Sequence, residues 1–92
     1  MYIIYRHWQQ ICFPNEFKNR TLDVVKIGAV IKRLRVRNDL SRTDISNQLN
    51  ITVKTLSAYE NGDRLVKIDV LYGLSLLFNT SIDEIISESM RD

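Results

Sequence analysis

Apolar residues in this chain return at steps of three and four, and short polar breaks cut that rhythm into pieces of one to four turns. Such a pattern folds as a set of short packed helices. Val24, Ile27, Val30, Ile31 and Leu34 fall on one face of a helix, while Lys32, Arg33, Arg35 and Arg37 crowd the rest of its surface. The spacing predicts a first helix over about residues 22–37, closed by Asn38-Asp39, since Asn and Asp tolerate the left-handed conformation that ends helices. Ser41, with Asp44 three residues later, is a variant of the capping box and opens a second helix over residues 42–49. Asn50-Ile51-Thr52 interrupts it. Thr52 then caps a third helix, over about residues 53–61, that turns Leu56 and Tyr59 inward and stops at Gly62. Two short helices across a tight turn form the helix-turn-helix pattern.

The polar connection from Asp63 to Lys67 is interrupted by Leu65 and Val66 and leads to a fourth helix over residues 68–78. That helix is apolar around most of its circumference, so it either fills the core or is partly covered by a partner chain; Gly73 within it permits a close neighbour. Ser81 and Glu84 spell another capping box and start a fifth helix carrying Ile82, Ile85 and Ile86, with a frayed tail after Glu88. The fold expected is all-α, a compact five-helix domain over residues 21–88 preceded by an apolar arm, residues 1–20. In the arm, Tyr2-Ile3-Ile4-Tyr5 favours a short strand, Trp8, Ile11, Phe13 and Phe17 add bulk, and Pro14-Asn15 marks a turn. Packing onto its own domain, pairing across a dimer and membrane contact are the roles open to it.

Composition narrows the chemistry. Leu, Ile, Val and Phe supply 31 of 92 residues, enough for a core. One cysteine (Cys12) and one histidine (His7) exclude an internal disulfide framework and the usual zinc sites. They also leave no nucleophile–base constellation, so neither an enzyme nor a cofactor is expected. No apolar run is long enough for a membrane span and no signal peptide is visible, which points to a cytoplasmic protein. The net charge of +2 conceals a polarity: residues 1–42 carry nine Lys/Arg against three Asp/Glu, and residues 43–92 four against eight. That asymmetry fits a nucleic-acid contact and equally a solvated surface.

Ile27-Gly28-x-x-Ile31-x-x-Leu34-Arg35, Leu40-Ser41, Ile45-x-x-x-Leu49-x-Ile51-Thr52-x-x-Thr55-Leu56-x-x-Tyr59-Glu60-Asn61-Gly62 and Ser81-Ile82-Asp83-Glu84 together span five helices. This constellation resembles the phage repressor and Cro-like (XRE-type) helix-turn-helix family of DNA-binding transcriptional regulators. The resemblance covers about residues 24–86. It implies a partner in double-stranded DNA, read by the third helix in the major groove, and commonly a homodimer on paired half-sites.

Carried over position by position, Ser41 and Arg42 stand where the start of the second helix meets a phosphate, an arrangement that suits a helix N-terminus. Thr52 and Thr55 match places that often touch phosphate. Val53, Lys54 and Ala58 match places that often meet base edges, and Ser57 lies between them. Arg64 and Lys67 match positions near the phosphates or the minor groove. Arg35 and Glu60 match an ion pair internal to related domains and belong to the structure, whereas Lys32, Arg33 and Arg37 read as solvated helix surface. The departures have consequences: Arg42 replaces a frequent glutamine, Asn50 occupies the turn where glycine is usual, and Val53 and Ala58 replace polar base readers. Lys54 suits guanine O6 or N7 and the two apolar residues suit a thymine methyl. Neither apolar side chain makes the bidentate contacts worth ~1–3 kcal/mol of discrimination, so DNA shape must supplement direct readout. The function expected is a homodimeric repressor. The alternatives are an antitoxin-like regulator that also binds a toxin through the arm or the fourth helix, and a protein-interaction module that has lost DNA binding.

Overall fold

The structure is a computed structural model and describes residues 22–91. Readings that concern the arm, including its short strand, lie outside those residues. Among the described residues five α-helices follow one another: α1 (Val24–Arg37), α2 (Arg42–Leu49), α3 (Val53–Asn61), α4 (Ile68–Leu77) and α5 (Ile82–Met90). No strand occurs among the described residues. This is the all-α, five-helix architecture expected from the periodicity.

Local chemistry explains each boundary. The first helix begins at Val24, two residues later than the apolar spacing suggested. Asp23 caps it, its carboxylate accepting from the backbone N–H of Val25 and Lys26 at 3.0 and 3.2 Å. Its other end closes through Asp39 in the left-handed region at φ 57°, with Leu40 N–H bonded to the Arg35 carbonyl and the Asn38 amide to the Leu34 carbonyl. The capping box of α2 is reciprocal: Asp44 N–H donates to Ser41 Oγ and Ser41 N–H to Asp44 Oδ2, both at 3.0 Å. The backbone bond from Ser41 holds the Asp44 carboxyl below its usual range. Its stabilising contribution is complete above the ordinary value near ~3.9 and fades as pH falls from there through the lowered native value.

Asn50 takes the left-handed conformation at φ 56°, so the turn between α2 and α3 forms without glycine. Gly62, at φ 80°, closes α3 with Asp63 N–H on the Ala58 carbonyl and its own N–H on that of Tyr59. Two boundaries near the far end differ from expectation. At Ser81 only half of the capping box exists: its hydroxyl accepts from Glu84 N–H at 3.0 Å, but the Glu84 carboxylate lies 3.5 Å from the Thr80 hydroxyl. The last helix also continues to Met90, held by Ser89, which is buried and donates to the Ile86 carbonyl at 2.6 Å.

The core gathers Ile27, Val30 and Ile31 of α1, Ile45 of α2, Leu56 and Tyr59 of α3, Val70, Leu71 and Leu74 of α4, Phe78, and Ile85 of α5, with Val66 at its edge. α1 is the shared support, packing against both α3 and α5. Where α1 crosses α3, Gly28 leaves no room for a side chain: a Cβ there would run into the Tyr59 and Glu60 carbonyl oxygens. The fourth helix fills the core with one side and leaves the other side open. Val70, Leu71, Leu74 and Ser75 are buried, while Ile68, Tyr72 and Leu76, at steps of four, are 71%, 58% and 63% exposed. No helix among the described residues is long and apolar enough to cross a membrane.

Ser46 of α2 is buried and its hydroxyl has no partner among the described residues. An unsatisfied polar group costs about 1–3 kcal/mol, and alanine is the better helix former. Ser46→Ala should therefore stabilise the domain by about 1 kcal/mol, which thermal unfolding would register as a rise of roughly 4–8 °C.

Candidate nucleic-acid interface

Three residues of α3 face the core: Leu56, Tyr59 and Glu60. At 100° per residue, Lys54, Ala58 and Asn61 lie on the opposite side, with Val53 and Ser57 on one flank. Lys54 and Asn61 are exposed, Val53 is 43% exposed, and Ser57 and Ala58 are half-buried. Asn61 was read only as a helix end. Its spacing of seven from Lys54 places it on the same face, and that spacing was the available signal.

At the start of α3, the Thr52 hydroxyl accepts from Thr55 N–H at 3.0 Å and donates to Thr55 Oγ1 at 2.9 Å. The two threonine hydroxyls are thus bonded to each other at the start of α3. Thr52 and Thr55 meet Arg64 and Lys67 around one open groove of about 600 Å³, whose other walls include Asn50, Tyr59 and the acidic Asp69. The Arg64 guanidinium stands 5.9 Å from the centre of the Tyr59 ring, at the outer range of a cation–π contact. The third helix, the turn before it and the loop after it therefore present two threonines and two cations on one surface.

In the last turn of α3, the Glu60 carboxylate is completely buried and is held by two arginines. Arg35 Nε donates to Oε2 at 2.7 Å and its Nη2 to Oε1 at 3.3 Å, while its Nη1 donates to the Leu40 carbonyl at 3.0 Å. Arg42, the first residue of α2, adds a bond from Nε to Oε1 at 3.1 Å. Sequence reasoning assigned Arg42 to a phosphate alone and did not foresee that it also reaches Glu60. Ser41 beside it is exposed, its Oγ engaged by Asp44 N–H. Arg33, read as solvated surface, reaches Glu88 of α5 at 3.1 Å.

A helix-turn-helix family model matches residues 31–85 of the chain. The cryptic phage CTXphi transcriptional repressor RstR of Vibrio cholerae is 30% identical over 59 residues, which cover 64% of this chain and 53% of that protein. The chain thus matches about half the length of that relative. Among solved structures, the clp gene regulator ClgR from C. glutamicum superposes with a TM-score of 0.68 at 17% identity, covering 76% of this chain and 91% of that one. The restriction-modification controller protein C.AhdI from Aeromonas hydrophila gives 0.64 at 22% identity, covering 71% and 98%. At these identities the two structures are likenesses of fold. Given the extent of the family match, the chain belongs to the XRE-type helix-turn-helix family of transcriptional regulators.

Proposed function

We propose that the protein is a sequence-specific DNA-binding repressor that works as a homodimer, with α3 in the major groove. The observation that carries this reading is the outward face of α3, which offers Lys54 and Ala58 with Val53 on its flank, beside cations on both sides: Arg42, bonded to Glu60 of α3, and Arg64 and Lys67 in the groove with Thr52 and Thr55. Flanking cations fix a duplex by its phosphates, and the helix between them meets base edges. Lys54 bonds guanine, Val53 and Ala58 contact thymine methyls, and Thr52 and Thr55 meet a phosphate. Likeness to a phage repressor supports the direction of regulation. The exposed stripe of Ile68, Tyr72 and Leu76 on α4 supports pairing, since apolar residues in such a row gain from being covered.

Selecting bound sequences from a random duplex pool tests the reading. A paired motif with half-sites about 34 Å apart, one helical turn, is the expected outcome. On the selected site, Lys54→Ala should relax preference at a single base pair by about 1–3 kcal/mol, while Arg64→Ala should weaken all sequences alike and lower the salt slope by about 1. Unchanged binding by both variants would reject the assignment of α3. The same α4 stripe favours a second reading, an antitoxin-like regulator that also holds a protein partner. A chain that remains monomeric in solution and binds only unpaired half-sites supports that alternative, and absence of any DNA binding at low salt supports a pure interaction module.

A further inference from the structure

Glu60 has one negative charge and two guanidinium partners, so the cluster of Arg35, Glu60 and Arg42 keeps one positive charge in excess. The two arginines are not equivalent. Arg35 is buried and directs Nε, Nη1 and Nη2 all to protein oxygens. Arg42 directs only Nε inward, its side chain is 37% exposed, and among the described residues no other side-chain hydrogen bond or ion pair engages it. We propose that Glu60 is a positioning residue for DNA: its buried carboxylate grips Arg42 by Nε and sets Nη1 and Nη2 as a fork for one phosphate of the duplex. The proposal rests on the DNA-binding reading above and goes beyond a purely internal role for Glu60.

The chemistry favours this division of labour. A guanidinium is a rigid plane with five donors, so fixing Nε orients the other two nitrogens, and an arginine held this way loses less freedom when the phosphate arrives. A phosphodiester bears the single negative charge that balances the cluster, and guanidinium–phosphate pairing is bidentate. Because Glu60 is part of α3 and Arg42 opens α2, the same carboxylate also fixes the distance between a backbone anchor and the base-reading face. A lysine cannot do both jobs: its compact ammonium has no second, separately oriented set of donors.

Two measurements on the full chain test the proposal, one without DNA. In the free protein, the Arg42 Nε–H proton, followed by nitrogen-15 NMR, should exchange slowly with water, and Glu60→Gln should accelerate that exchange. With the selected duplex, Arg42→Ala should lose about tenfold or more in affinity and lower the salt slope by about 1. Arg42→Lys should lose nearly as much affinity while keeping the slope, and adding Glu60→Gln to Arg42→Ala should cause no further loss. Arg42→Lys exposes no buried carboxylate, because Arg35 remains on Glu60, so it keeps the test open if Glu60→Gln fails to fold. Binding by Arg42→Lys within twofold of the wild type would overturn the positioning role and leave the DNA-binding reading intact, and so would rapid Nε–H exchange in the wild type. A wild-type chain that binds no duplex would overturn both.

Discussion

Glu60→Ala should remove about 3–5 kcal/mol of stability, the cost of stripping the counter-charge from a buried ion pair. A small domain has only about 5–15 kcal/mol in total, so urea titration should find the variant close to unfolded, with a much lower midpoint. The loss falls mainly on Arg35, which is 9% exposed and would keep a single bond, to the Leu40 carbonyl. Arg42 is far less affected, because its exposed end returns to water. Arg35→Ala should cost less than Glu60→Ala, since the carboxylate would still hold Arg42, and Arg42→Ala should cost least of the three. Equal losses for Glu60→Ala and Arg42→Ala would contradict this order.

Gly28→Ala is the second large effect. In open helix, alanine is favoured over glycine by about 1 kcal/mol. Here the new methyl group would meet the backbone oxygens of Tyr59 and Glu60, the latter at 2.7 Å, and backbone cannot rotate out of the way. α1 must move off α3, disturbing the packing of Ile27 and Ile31 and the ion cluster beside it. Overpacking of this kind costs typically about 1–3 kcal/mol, occasionally more, and the rigidity of the obstacle puts this case at the upper end. Gly73→Ala is the control. Its methyl group meets Leu49 Cδ2 at 2.6 Å, the far end of a half-buried side chain that can change rotamer, so the helix-propensity gain should nearly offset the crowding. Thermal unfolding should show a large drop for Gly28→Ala and a small shift for Gly73→Ala; comparable shifts would contradict the distinction.

These positions also show what a sequence can reveal. Helix limits were legible wherever the signal was local: Ser41 with Asp44, Thr52, Asp39, Asn50 and Gly62. Asp23 was missed because Leu22 and Val24 continue the apolar rhythm around it, and Asn79, left-handed at φ 53°, because it adjoins the cap signal of Ser81. The exposed side of α4 was not legible at all: when nearly every position is apolar, periodicity cannot say which side meets the core. Contacts between distant segments were equally hidden. Nothing near Gly28 announces that α3 passes there, and nothing near Arg42 indicates a carboxylate eighteen residues away. At the candidate site, residue types alone suggested which side chains suit DNA. The fold was needed to show that Thr52, Thr55, Arg64 and Lys67 share one groove.

The pairing of α1 with α5 has a consequence for synthesis on the ribosome. α2 and α3 are neighbours in sequence and can associate as soon as both have emerged. The apolar face of α1, however, waits for Ile85, more than fifty residues downstream of Ile31, before its second side is covered. During that interval the nascent chain presents a half-finished core, and transiently exposed apolar surface of this kind invites misassociation and chaperone capture. Among the described helices, α5 is thus the one that covers the second side of α1.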